Sequence, residues 1–160
     1  MRFEETIFQR TGFRLPSVYV RALERGLLKY GESREEWVAT AGERAHLVPL
    51  SIAWVDGRIV IALEARSVTA RNLSASGTAR LALGGTRDVV LADTTLVATH
   101  EVTHAPPDLA DAYAAQSDWD PRADAAGYVF LVLRPDRVQA WTEVHELAGR
   151  TIMRSGEWVV

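Results

Sequence analysis

The sequence contains no cysteine, which excludes disulfides, thiolate metal sites, iron–sulfur clusters and cysteine nucleophiles. Lysine is nearly missing as well: Lys29 stands alone among 18 basic residues, so Schiff-base chemistry has one poorly placed candidate and fixed positive charge is guanidinium charge. No run reaches the roughly 20 apolar residues that a spanning helix needs, and Met1 to Arg10 holds no long apolar stretch. Positive charge is not in excess, since the net charge is -3, so no general field draws the chain onto nucleic acid or anionic lipid. Neither G-x-G-x-x-G nor a P-loop occurs. A G-x-S-x-G elbow is also missing, which weakens Ser67, His46 and Asp56 as a hydrolytic triad. What remains is 160 residues, 48% hydrophobic and 24% charged, which reads as one globular domain of cytoplasmic type with neither membrane nor nucleic acid as partner.

Pro16 followed by SVYVRALERGLLKYG predicts an amphipathic helix within an N-terminal helical segment, residues 1–34. From Glu35 onward the period changes. Ala45 to Trp54 alternates His46, Val48, Leu50, Ile52 and Trp54 on one face, Asp56-Gly57 is a hairpin turn, and Arg58 to Glu64 is a second strand. Val68 to Ser76 predicts a short helix capped by Ser67 and stopped by Gly77. Thr78 to Leu83 returns to strand. Asp88 to Thr103 is a β-branched run too long to stay straight, so a bend or bulge is expected within it. A second helix fits Asp108 to Gln116, and Tyr128 to Leu133 and Arg137 to Trp141 read as two strands turning around Pro135-Asp136. Arg150 to Arg154 adds a last strand. Six or more short strands interrupted by helices predict a β-rich α+β fold built on a small closed or half-closed barrel.

Three local patterns carry possible chemistry. His100 and His104 have the spacing of helical zinc ligands, but on a strand four residues span about 13 Å, too far to share a metal. Ser117 to Arg122 (SDWDPR) reads as a capped turn, with a loop binding site as the weaker alternative. At the junction of strand and helix in RIVIALEARSVTARNL, Ser67, Thr69 and Arg71 meet a helix start. That is either a phosphate site or an ordinary N-cap with a solvent-facing arginine.

HLVPLSIAWVDGRIVIALEARSVTARNL, VQAW and GRTIMR together resemble the pyridoxamine 5'-phosphate oxidase-like split-barrel family of flavin and deazaflavin proteins. The resemblance covers most of the chain from about Trp37 and implies a split-barrel, flavin-binding domain over residues 35–160. It implies a six-stranded split β-barrel, FMN-binding or, alternatively, F420-binding, in a homodimer with the cofactor at the subunit interface. Carried over residue by residue, it implies cofactor contacts at Val48, Pro49, Leu50 and Ser51 on the cofactor-facing strand and at Ala62 and Leu63 on the next. Further contacts are implied at Ser67, Thr69, Arg71 and Asn72 around the helix, and at Trp141 and Arg150. Arg87 is another potential donor, and Trp119 a potential contribution from the neighbouring subunit. Departures accompany these matches. His46 and Ser51 stand where the oxidases have arginine and lysine, as do Val68 and Thr69. Glu146 and Ala148 stand where the oxidases hold the vitamin phosphate, so oxidation of pyridoxamine phosphate is not expected. The reading is therefore an FMN-dependent oxidoreductase acting on a small acceptor. A deazaflavin reductase, a cofactor-binding protein without efficient turnover and a ligand-free structural dimer are the alternatives, and no catalytic residue is assigned.

Overall fold

A computed structural model describes residues 35–159, apart from Gly85, Asp88, Asp118, Ala125, Thr142 and Glu143 and the side chain of Glu146. The helix expected in residues 1–34 lies outside the described residues. The described chain forms β1 (Glu35–Ala41), β2 (Ala45–Val55), β3 (Arg58–Glu64), α1 (Val68–Ser76), β4 (Thr78–Leu83), β5 (Val89–Glu101), α2 (Pro107–Gln116), β6 (Tyr128–Trp141), β7 (Thr151–Arg154) and β8 (Glu157–Trp158). Strand order is β3-β2-β1-β4-β5-β6-β7-β8, and a further pairing of β3 with β6 closes the first six strands into an antiparallel barrel. β7 and β8 extend the sheet past the closure. Among the described residues no helix is long and apolar enough to cross a membrane.

Closure explains the two near-continuous apolar runs, IVIAL and VFLVL. Ile59, Ile61, Leu63, Leu131 and Leu133 point into the barrel with Val38, Leu81 and Ile152. Val60, Phe130 and Val132 point outward, where Val102, Ala110 and Tyr113 cover them in a second apolar cluster beneath α2. A strand buried on both faces loses the alternation of a half-exposed one. Tyr113 meets Phe130 edge to face with ring centroids 5.3 Å apart, a favoured aromatic geometry.

Two expectations need correction, on β6 and on β2. Tyr128–Trp141 is one strand through Pro135, with no turn at Pro135-Asp136. The β5–β6 register shifts at Asp93/Thr94, where Pro135 pairs with Thr94 and Arg137 with Asp93, leaving Asp136 as the extra residue. A bulge tolerates a residue without an N–H, and Asp136 is held there by Thr95 Oγ1 (2.5 Å) and by Gly156 N–H (2.8 Å). β5 carries the expected irregularity, in fact two of them, the second between Leu96 and Ala98. In β2 the alternation of half-buried His46, Val48 and Leu50 stops at Ser51, after which Ile52 and Ala53 are both buried.

Candidate functional site

The break in β2 marks a change of partner. Ala45 to Ser51 pair with β1, whereas pairing with β3 covers only Ile52 to Val55 against Ile61 to Arg58. Beyond that point β2 and β3 diverge: the β2–β3 ladder does not reach Ala45–Ser51, and Ala62 to Glu64 go on with β6 alone. The barrel is split there, along seven residues of β2, or about 20 Å. Along it β2 has no strand partner on the β3 side among the described residues, Ser51 O accepts instead from Tyr113 OH (3.5 Å), and backbone groups on such an edge require partners.

α1 lies across the opening. Its N-cap, Ser67, follows β3 by a tight turn in which Ser67 N–H donates to Glu64 O (3.0 Å) and Ala65 N–H to Gly127 O (2.9 Å). Ser67 Oγ accepts from Ala70 N–H (3.2 Å) and Ser67 O from Arg71 N–H (3.1 Å). The donors of Val68 and Thr69 are the ones that helix bonding leaves over in this first turn. Ala70 and Leu73 are buried in the barrel core, and Thr69 is buried with them. Gly77, at φ 72°, closes the helix in the left-handed region.

Two contacts tie α1 to the strands on the far side of the split. His46 Nε2 lies 3.2 Å from Thr69 Oγ1. Asn72 Nδ2 donates to Thr40 Oγ1 at 3.1 Å. Gly42 admits this approach, since a Cβ there would stand 2.6 Å from Asn72 Oδ1. Arg71 folds back over the turn, its Nη1 donating to Arg66 O at 2.6 Å, so its guanidinium stays beside the helix start. The opening thus has half-buried Val48, Leu50 and Ser51 along one rim, Ala62 and Leu63 along the other, and Ser67, Thr69, Arg71, Asn72 and His46 at one end. Pro49 points to the opposite face of β2, where it is exposed. Nine of the twelve expected contact positions therefore border one opening.

Trp141 and Arg150 do not join them. Trp141 ends β6, eight residues beyond Leu133, the last partner of β3. The start of α1 lies near Tyr128, the other end of a strand whose contour is about 40 Å. Arg150 is anchored beside Trp141: its carbonyl accepts from Ala140 N–H (2.8 Å), and its guanidinium lies over the indole, 5.4 Å from the ring centroid. Two residues not anticipated belong to this second group. With its amide oxygen turned toward them, buried Gln139 accepts from Arg150 Nε and Arg137 Nη2, both at 2.9 Å. The signal was present in R-x-Q-x-W, since alternate strand residues share a face.

An outer row of side chains joins the two groups. Across β2, β1, β4, β5 and β6 the register aligns Pro49, Trp37, Ala82, Leu91 and Gln139, and beside them Leu47, Ala39, Arg80, Asp93 and Arg137. Trp37 is 50% and Leu47 58% exposed. The row spans about 19 Å, four strand spacings, on the outer face of the sheet: it is apolar at Pro49, Leu47, Trp37, Ala39, Ala82 and Leu91 and turns polar toward β6 at Arg80, Asp93, Arg137 and Gln139.

The other patterns take structural roles. In the Ser117–Arg122 loop, Ser117 Oγ donates to Trp119 O (2.6 Å), and Arg122 bonds both Asp120 and Asp111 at 2.7 Å, the turn that was expected. These bonds hold the Asp120 carboxyl below its ordinary range and raise the Arg122 guanidinium. Trp119 packs edge to face on Tyr128 with its Nε1 on Asp124. His104 follows β5 in a 3-10 turn and contacts Glu101 at 3.2 Å. Ser67, His46 and Asp56 do not form a triad, because Asp56 sits in the β2–β3 turn at the opposite end of β3 from Ser67.

No protein-family model matches the sequence, and no curated protein does. Solved structures do match. An F420 reductase is 14% identical with a TM-score of 0.56, covering 68% of this chain and 91% of its own. A pyridoxamine 5'-phosphate oxidase-related, FMN binding protein from Nostoc punctiforme PCC 73102 is 16% identical with a TM-score of 0.51, covering 79% of this chain and 84% of its own. A heme binding protein from Mycobacterium smegmatis is 18% identical with a TM-score of 0.59; 90% of this chain aligns with 60% of that protein. Identities of this size bear on architecture, and the chain accordingly has the split-barrel fold of the pyridoxamine 5'-phosphate oxidase-like, flavin- and deazaflavin-binding proteins.

Proposed function

We propose that the protein is an FMN-dependent oxidoreductase whose site is assembled from two copies of the chain. The observation that carries this reading is the outer row, apolar from Pro49 and Trp37 to Leu91, with the split of β2 near its apolar end and Trp141 and Arg150 near its polar end. A two-fold axis through the middle of such a row lays each end on the opposite end of the partner. Trp141 and Arg150 of one protomer then face the opening between β2 and β3 of the other, which neither copy achieves alone. Exposed Trp37 and Leu47 supply the apolar contact that burying this face would use.

The residues present fit FMN. The flat ring suits the apolar rims at Val48, Leu50, Ala62 and Leu63, and the β2 edge that no strand covers supplies hydrogen-bond partners for the ring's edge. The phosphate suits the first turn of α1, with the Ser67 and Thr69 hydroxyls and the Arg71 guanidinium beside it. Few fixed cations stand at this end, so one phosphate is better matched than the longer polyanionic tail of F420. When bound, the flavin supplies hydride transfer. The chain's own groups bind and orient it, and Trp141 of the partner excludes water from the opening.

Titration of the purified protein with FMN, F420 and haem tests the ligand, FMN being expected to bind most tightly. Complementation tests the assembly. Thr69→Asp and Arg150→Glu each abolish binding alone. Mixed and re-annealed, they recover about a quarter of wild-type capacity, because half the dimers are mixed and each has one intact site. No recovery on mixing would place all contacts within one copy and refute the reading.

A further inference from the structure

The second group of residues contains a charge arrangement of which the flavin reading uses Arg150 alone. Gln139 is buried, and its single amide oxygen receives both Arg150 Nε and Arg137 Nη2 at 2.9 Å. The two donor nitrogens therefore lie within twice that distance of each other. A neutral oxygen orients two like charges without compensating either. Among the described residues Asp93 is the one carboxylate within ion-pair range of either guanidinium, 3.9 Å from Arg137 Nη1, and it is already bonded by Arg80. Arg80 and Arg137 thus share one carboxylate, and Arg150 has none within ion-pair range among the described residues.

The geometry is also fixed from behind. Arg137, Gln139 and Trp141 alternate on one face of β6 above fully buried Val138. Arg150 is held by its carbonyl on Ala140 and by its position over the Trp141 ring. Arg137 remains half-exposed, with 46% of its side chain accessible. Two forked donors, pre-oriented by one buried amide and open to solvent, match the shape and charge of a tetrahedral oxyanion.

We infer that Arg137 and Arg150, keyed by Gln139, form an oxyanion site for a phosphate group. This inference shares Arg150 with the function proposed above but requires no flavin, and its test reads phosphate binding to the flavin-free chain, which FMN binding does not decide.

The test uses the full chain, free of flavin and 15N-labelled, titrated with inorganic phosphate at constant ionic strength while the arginine Nε–H resonances are followed. The Arg137 and Arg150 signals are expected to shift together along one saturable curve, with Arg58 and Arg134, at the other end of the β6 bulge, unmoved. Arg137→Gln should weaken phosphate at least tenfold. Gln139→Glu places a carboxylate between the guanidiniums, so it should preserve the fold and abolish the response. Equal movement of all arginines, no saturation, or an unchanged response in Gln139→Glu would each overturn the inference.

Discussion

Gln116, the last residue of α2, gives the most direct test of how β2 is held beyond the end of its ladder with β1. Its Oε1 accepts from Trp54 N–H and its Nε2 donates to Trp54 O, both at 2.9 Å. These are the two groups that a neighbouring strand would bond. Trp54 opposes Ile59 of β3 on one side, so Gln116 occupies the other edge, beyond the last β1 pairing at Ser51. Each bond contributes about 1 kcal/mol net, and truncation leaves a half-buried N–H and C=O in need of new partners. Gln116→Ala should therefore destabilise by about 2–3 kcal/mol. At about 2–4 °C per kcal/mol for a chain of this size, the melting temperature should fall by about 5–10 °C. Gln116→Glu retains one acceptor and loses the donor, and should fall between the two. Urea unfolding followed by tryptophan fluorescence measures the loss, and hydrogen exchange at the Trp54 amide localises it. A change below about 0.5 kcal/mol with Trp54 protection unaltered would refute the idea that this side chain stands in for a strand.

The close approach of Gly42 to Asn72 predicts non-additivity. Gly42→Ala should cost about 1–3 kcal/mol by overpacking, whereas adding it to Asn72→Ala should cost little more than Asn72→Ala alone, as a double-mutant cycle in urea will show. Burial pushes the Tyr113 hydroxyl up to about 12. The unfolded chain ionises near 10, so stability is intact below about pH 10 and declines as pH rises toward about 12. That decline should be missing in Tyr113→Phe when urea midpoints are compared across this range. Ser67→Ala removes the cap on Ala70 and should destabilise by about 1 kcal/mol while weakening FMN in a fluorescence titration. Trp37→Asp should convert the dimer to monomer by light scattering and lose FMN with it; a monomer that retained full affinity would contradict a shared site.

Much of the barrel was legible because its signals are local. Asp56-Gly57, Ser67 with Gly77, and the break after Glu64 each depend on a few neighbouring residues, and the structure places a turn, a cap and a helix there. Pro135 misled for a physical reason: a proline reads as a strand breaker unless a bulge absorbs its missing donor, and the bulge depends on β5, some forty residues earlier in the chain. The split itself has no local signature. It arises because β2 changes partners after Ser51, a fact about β1 and β3 together. His46 on Thr69 and Asn72 on Thr40 follow from that and were equally hidden. Trp141 and Arg150 were identifiable through resemblance, but their separation from Ser67 within one protomer was not, because strand length along β6 decides it.

The two rims of the opening differ in how freely they can respond. β3 is clamped between the barrel interior and the layer under α2, with β6 bonded along its outer edge. The first half of β2 has a ladder on one side only, and its Leu47 and Pro49 side chains face outward. Any adjustment to a ligand therefore falls to Ala45–Ser51, while Arg58–Glu64 acts as an immovable jaw. Changes that retune which molecule fits belong on the pliant side, and the same changes made on the rigid side should unfold the protein before they alter its choice.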